Sequence, residues 1–367
     1  MDRQVKREEN APSKRKRITK TQKRGEKNKA RKPTPTTFIN KYPLDAATVT
    51  EDPSIPSANV HYFQSNPRSD QRVDLILNEL SLLRLETPRR LDGTNVQGVV
   101  NTSGGGTRFH VFRIPGLLSK YLAQLTSSFN TFDDLKPYKY VSPSELRTFH
   151  HDKKLHPYHL GIVKRQGNET GVSRDTLQGP RAGRDNLSEL NTKRQDAAFD
   201  IMEILEKRVC QPVKRYLQAH DPSSVNQAMF INHYGQEKAK ENGTIPTKLN
   251  DVPSAYRLGG LATAVAIGYG EASNPHLDPH DSTCVYTIFT QFTGQPGYTR
   301  FPQLNLDVLL RPGDVILATT GSLIHHAHGR KELDRSRITA VLYNCCVVEG
   351  DAFKELIKEV DGCVIEL

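Results

Sequence analysis

Apolar positions along the 367-residue chain fall into two textures. In the first they recur three or four apart. The segment SDQRVDLILNELSLLRLE (69–86) spaces Val73, Ile76, Leu77, Leu80, Leu83 and Leu85 near a 3.6-residue period before Pro88, which predicts an amphipathic helix stopped by proline. A second helix is expected over about 116–129. A third covers DAAFDIMEILEKRVCQPVKRYLQAH, where Ala197, Ile201, Leu205, Val209 and Val213 share a face and Pro212 kinks or divides it. The second texture alternates, as in GTRFHVFRIP. From residue 227 it dominates: QAMFINHY, LATAVAIGY, TCVYTIFTQF, LDVLL, DVILAT and RITAVLYNCCVV follow one another without intervening helices. Short strand-like runs at that spacing predict an antiparallel sandwich or barrel. Residues 150–195 are polar, glycine-rich and without period, the signature of a surface excursion. The expected class is therefore α+β, with a helical and mixed supporting region (59–226, including the polar insert 150–195) followed by a β-core (227–367). No internal repeat is visible.

Charge changes this picture only at one end. Lys and Arg number 51 against 41 Asp and Glu, a net charge of +10. Residues 1–40 hold 14 basic and 4 acidic side chains, so the remaining 37 and 37 balance. The whole excess sits in a tail. Residues 1–58, rich in Lys, Arg, Pro, Thr and Asn, have too little apolar surface to offset chain entropy and read as disordered. Lys14-Arg15-Lys16-Arg17, Lys23-Arg24 and Arg31-Lys32 look like a nuclear import signal or a phosphate-attracting arm; a merely solvated tail is the plainer alternative. Five cysteines, odd in number and without a C-x-x-C, fit neither a disulfide framework nor a cysteine zinc site. No run is long and apolar enough to span a membrane. The opening MDRQVKREEN lacks the apolar core of a signal peptide, so a reducing intracellular compartment is expected.

Candidate chemistry lies among the β-runs. His276 and Asp278 in Asn274-Pro275-His276-Leu277-Asp278-Pro279-His280-Asp281 are two apart, so on an extended chain both side chains share a face. Downstream, Gly321-Ser322-Leu323-Ile324-His325-His326-Ala327-His328 offers further imidazoles, and Arg337 follows inside a strand-like run. Two His and one carboxylate on one face of a metal leave three positions open, which is the facial triad of non-haem Fe(II) oxygenases.

This order, H-x-D, then His, then Arg337-Ile-Thr, resembles the Fe(II)/2-oxoglutarate-dependent dioxygenases, and RPGDVILATTGSLIHH resembles the strand and turn before their distal histidine. The likeness covers roughly 227–348. It implies a double-stranded β-helix of the jelly-roll or cupin-like kind, with Fe(II) and 2-oxoglutarate as cofactors. His276, Asp278 and His325 would be the metal ligands, and Arg337 would pair with the far carboxylate of 2-oxoglutarate. His325, preceded by an aliphatic residue as in the family, is the first choice for the distal ligand, with His326 and His328 as alternatives.

Within that superfamily the chain is similar to the TET/JBP branch, which oxidises the methyl group of a pyrimidine in nucleic acid, including its transposon-associated fungal members. Asp281 extends the motif to HxDxxD, where the last residue approaches the base. Tyr343 stands six beyond Arg337, where an aromatic stacks on a flipped base. Cys345 occupies a place where the family has a base-contacting histidine. The resemblance implies a nuclear, monomeric, DNA-binding enzyme that converts 5-methylcytosine to hydroxymethylcytosine and onward toward demethylation. The rival readings are a dioxygenase of a protein side chain, RNA base or small molecule, and an inactive β-helix serving as an adaptor.

Overall fold

Most of the alternating runs become strands of two facing sheets. The computed structural model describes residues 48–51, 73, 77, 87–101, 108–135, 157–164, 169–177, 187–243, 254–270, 273–278, 285–321, 323–328, 334–345, 348 and 351–352. The strands are β1 (Thr48–Glu51), β2 (Arg89–Leu91), β3 (Gln97–Asn101), β4 (Arg108–Ile114), β5 (Tyr158–Lys164), β6 (Thr170–Val172) and β7 (Ala264–Gly270). They continue with β8 (Thr287–Gln291), β9 (Gly297–Phe301), β10 (Leu306–Leu310), β11 (Val315–Ala318), β12 (His326–His328) and β13 (Asp334–Tyr343). The larger sheet runs β1-β3-β4-β11-β8-β13-β7-β5-β6 and the smaller β12-β9-β10-β2. Among the described residues β1 with β3 and β10 with β2 pair in parallel, and the other ladders are antiparallel.

Alternation along each strand explains the core between the sheets. Val111, Phe289, Ile316 and Ala318 of the larger sheet meet Phe301, Leu306, Val308 and Leu310 of the smaller in one cluster, and Val341 of β13 packs against it. Each such side chain contributes about 1.5–3 kcal/mol when fully removed from water. A buried ion pair joins the layers at one end. Arg113 on β4 donates to Asp314 (2.6 Å), to the carbonyl of Leu309 (2.7 Å) and to that of Gly93 (2.6 Å). Asp314, in the turn before β11, also accepts from the Gly116 N–H (2.8 Å).

Helices cover the outer side of β5 and β7, where Tyr158 and Tyr269 both donate to Asp133 at the end of the helix Leu122–Asp134. The proline-bearing helix is divided, as its sequence implies: Leu187–Leu205 is α-helical, Glu206–Cys210 is a π-turn, and Gln211–His220 is α-helical. Pro212 has no N–H for the carbonyl four residues back and its ring crowds that carbonyl, so the wider turn falls just before it.

Three expectations need correction. Residues 48–51, within the stretch 1–58 read as disordered, form β1 and pair with β3. QAMFINHY is not a strand but the middle of the helix Pro222–Glu241, so residues 226 and 227 lie within one helix. Its start was signalled by Asp221, whose carboxylate accepts the Ser224 N–H, and by Pro222 in the first turn. Val225, Ala228, Ile231, Gly235 and Ala239 bury one face at helical spacing. Nor is 150–195 only a surface excursion. Residues 158–164 form β5, paired with β7, and Leu160 and Ile162 are fully buried. Of the expected helix 69–86, Val73 and Leu77 are described and both are helical.

Candidate metal centre

The two candidate ligand segments are bound to each other through their backbones. His276 N–H donates to the His325 carbonyl (3.1 Å) and His325 N–H to the His276 carbonyl (2.9 Å), an antiparallel bridge. This register puts residue 276 opposite residue 325, and alternation does the rest. Leu277 and Ile324 turn to the other side, into a small cluster with the helical residues Val73 and Leu77. His276, Asp278 and His325 therefore turn to the same side, and their ligand atoms all lie within 4.8 Å of one another.

Both imidazoles are oriented by backbone carbonyls. His276 Nδ1 lies 2.7 Å from the carbonyl of Asn274, and His325 Nδ1 lies 3.2 Å from that of Leu323. A carbonyl only accepts, so Nδ1 carries the proton on each ring and the Nε2 lone pair faces inward, the arrangement that metal-binding histidines use. The Nε2 atoms stand 3.6 Å (His276) and 3.2 Å (His325) from the two oxygens of Asp278. Ligand atoms sharing one face of an octahedron with bonds near 2.1 Å are about 3 Å apart, so these residues fit a small divalent ion. Partial burial, followed by the neighbouring His325, holds the His276 imidazole below its usual pKa, which keeps it in the neutral, ligating form. His325 is buried against Phe289 (centroids 5.5 Å, edge to face) and Phe301 (6.3 Å). His276 and Asp278 are partly exposed, so the metal position opens toward solvent on their side.

Arg337 lies on the same inner surface. Phe289 and Gln291 are two apart on β8 and share a face. Phe289 touches His325, while Gln291 Oε1 accepts from Arg337 Nε (2.9 Å). Arg337 is buried, and Val341 on the same side of β13 packs into the core. Tyr343 continues that side. It is largely buried, with its hydroxyl 2.8 Å from His159 Nδ1 on β5 and the two rings edge to face. Cys345 is buried, its N–H donating to Thr263. Asp281 lies outside the described residues.

The structure thus brings His276, Asp278 and His325 together, with Arg337 bonded to Gln291, while His326 lies in β12 opposite Arg300. Sequence reasoning did not reach Gln291 or His159. Nothing in the sequence marks either one: Gln291 ends a strand, TIFTQ, that already carries Thr287 and Thr290.

The site has the donor set of a mononuclear metal centre with open coordination positions. No family model and no curated protein matches the chain. Among solved structures, NgTET1 in complex with 5mC DNA is similar over 80% of this chain and 100% of that one, at 14% identity and a TM-score of 0.43. A score that low does not by itself establish a common fold.

Proposed function

We propose that the chain is an Fe(II)/2-oxoglutarate-dependent dioxygenase that oxidises the methyl group of 5-methylcytosine in DNA, a member of the TET/JBP-like branch. The observation that carries the first part is the inward Nε2–Nε2–carboxylate triad with both Nδ1 atoms held by carbonyls. Topology supports it. Taking the bridge at His276 as a strand position, the segments from β7 to β13 divide between a four-strand set β7-β13-β8-β11 and a facing set 276-β12-β9-β10, and the chain changes set at every step except the β9–β10 hairpin, the winding expected of a double-stranded β-helix.

His276, Asp278 and His325 would hold Fe(II), and Arg337 would receive the distal carboxylate of 2-oxoglutarate through a bidentate fork. Iron so held would supply the oxidising power by which O2 and 2-oxoglutarate give succinate and CO2 while the methyl group becomes hydroxymethyl. The partly exposed side of His276 and Asp278 is where substrate would enter. A methyl group in a stacked duplex is out of reach of such a pocket, so the base would be flipped. Tyr343, oriented by His159, is the ring against which that base would stack, and Asp281 the acceptor for its exocyclic amine. The basic tail would add sequence-blind attraction to phosphate or direct the monomer to the nucleus.

The test is incubation of the purified protein with Fe(II), 2-oxoglutarate and a 5-methylcytosine duplex, with nucleosides analysed by mass spectrometry. Hydroxymethylcytosine in the wild type and none in His276→Ala is the expected result. Succinate release without any oxidised base would move the substrate to the rival dioxygenase class.

A further inference from the structure

Gln291 ends β8 fully buried, and both halves of its amide are engaged. Oε1 accepts from Arg337 Nε at 2.9 Å, while Nε2 donates to the carbonyls of Thr293 (2.8 Å) and Gln295 (2.9 Å), with that of Gly294 at 3.3 Å. Turning the amide over would set N–H against N–H and oxygen against three carbonyls, so its orientation is fixed. The turn supplying those carbonyls is tied to β13 on both sides of Arg337. Thr293 Oγ1 donates to the Ser336 carbonyl and accepts from the Ile338 N–H (3.1 Å), and Phe292 N–H donates to the Ile338 carbonyl (2.7 Å). Two glycines complete the enclosure. A Cβ on Gly270 would lie 2.7 Å from Arg337 Cδ, and one on Gly294 would lie 2.6 Å from Arg337 Cα. Gly294 is also required by its φ of +86°, but Gly270 serves only to leave room.

We propose that Gln291 and the glycine channel preset the plane of the Arg337 guanidinium, making Gln291 a positioning residue for the distal carboxylate of 2-oxoglutarate. The inference rests on the dioxygenase reading above. An unrestrained arginine must order several torsions to present its fork, and that loss weakens binding; a fork already fixed avoids it.

The experiment is isothermal titration of 2-oxoglutarate into the Mn(II)-loaded full-length protein, with Mn(II) affinity measured separately. Gln291→Met removes the acceptor at similar volume, and Gly270→Ala narrows the channel and leaves the amide. Each is expected to raise the Kd for 2-oxoglutarate about tenfold, the size of one charge-assisted hydrogen bond. Mn(II) affinity should stay within about twofold on the same scale. Wild-type protein that takes up Mn(II) but gives no 2-oxoglutarate binding overturns the dioxygenase reading itself. Wild-type binding with unchanged Kd in both variants overturns the clamp alone, as does a parallel loss of Mn(II) affinity, which would mark a general structural role.

Discussion

Arg113, Arg194 and Arg337 are buried among the described residues, and the first and last of them are held differently. Arg113 has no exposed surface and spans the sheets, its charge met by Asp314 at 2.6 Å and its other N–H groups by the carbonyls of Leu309 and Gly93. Arg337 has its stem threaded between Gly270 and Gly294 and its Nε on the neutral amide of Gln291. A carboxylate partner inside the fold turns a guanidinium into a joint between layers. The Gln291 amide fixes the Nε edge of Arg337, an orientation that suits a group meeting the carboxylate of a ligand.

The largest effect that tests this difference is expected at Arg337. Replacing one side of a desolvated charge pair costs about 2–5 kcal/mol, so Arg337→Ala should lower kcat/KM for 2-oxoglutarate by about a hundredfold or more. Unfolding free energy should change far less than turnover. Urea denaturation beside steady-state kinetics on one preparation checks both, and a variant that loses stability as heavily as activity would make Arg337 a joint like Arg113.

Asp314→Ala should show the reverse. It leaves Arg113 buried without its counter-charge and takes the acceptor from the Gly116 N–H, a loss of about 3–5 kcal/mol. The urea midpoint should fall strongly while the affinity of the remaining folded protein for 2-oxoglutarate stays within about twofold, because the altered bond touches no ligand-facing group. Failure of the midpoint to move would remove the structural half of the contrast.

What could be read from the sequence follows the same division. The common face of His276 and Asp278 was legible because it is local, residues two apart sharing a side of an extended chain, whereas His325 was suggested only by the family resemblance. The helical state of Val73 and Leu77 was legible from their period. Partners that meet across sheets were not. Gln291 finds Arg337, and Arg113 finds Asp314, only after the strands are in register, and each alone looks like an ordinary polar residue of a strand or turn. QAMFINHY failed for another reason. Eight residues hold barely two helical turns, too few to separate a period of 3.6 from one of 2, and Asp221-Pro222 just upstream carried the information. The strand at 158–164 was hidden by its polar flanks and by Gly161, which interrupts Leu160 and Ile162.

The smallest expected effect isolates burial from pairing. Arg311 Nε stands 3.2 Å from Asp314 Oδ2, the oxygen that also receives Arg113, but the Arg311 side chain is 35% exposed. Water screens its charge and competes for its donors, so the pair is worth about 0.2–1 kcal/mol. Arg311→Ala should shift the urea midpoint slightly, and the shift should shrink further in high salt. Arg113→Met, which strips the same carboxylate oxygen of its buried cation, should cost several times more and respond little to salt, since no counter-ion reaches the site. Equal costs for the two variants would mean that the carboxylate, and not the dryness of its setting, sets the strength of this joint.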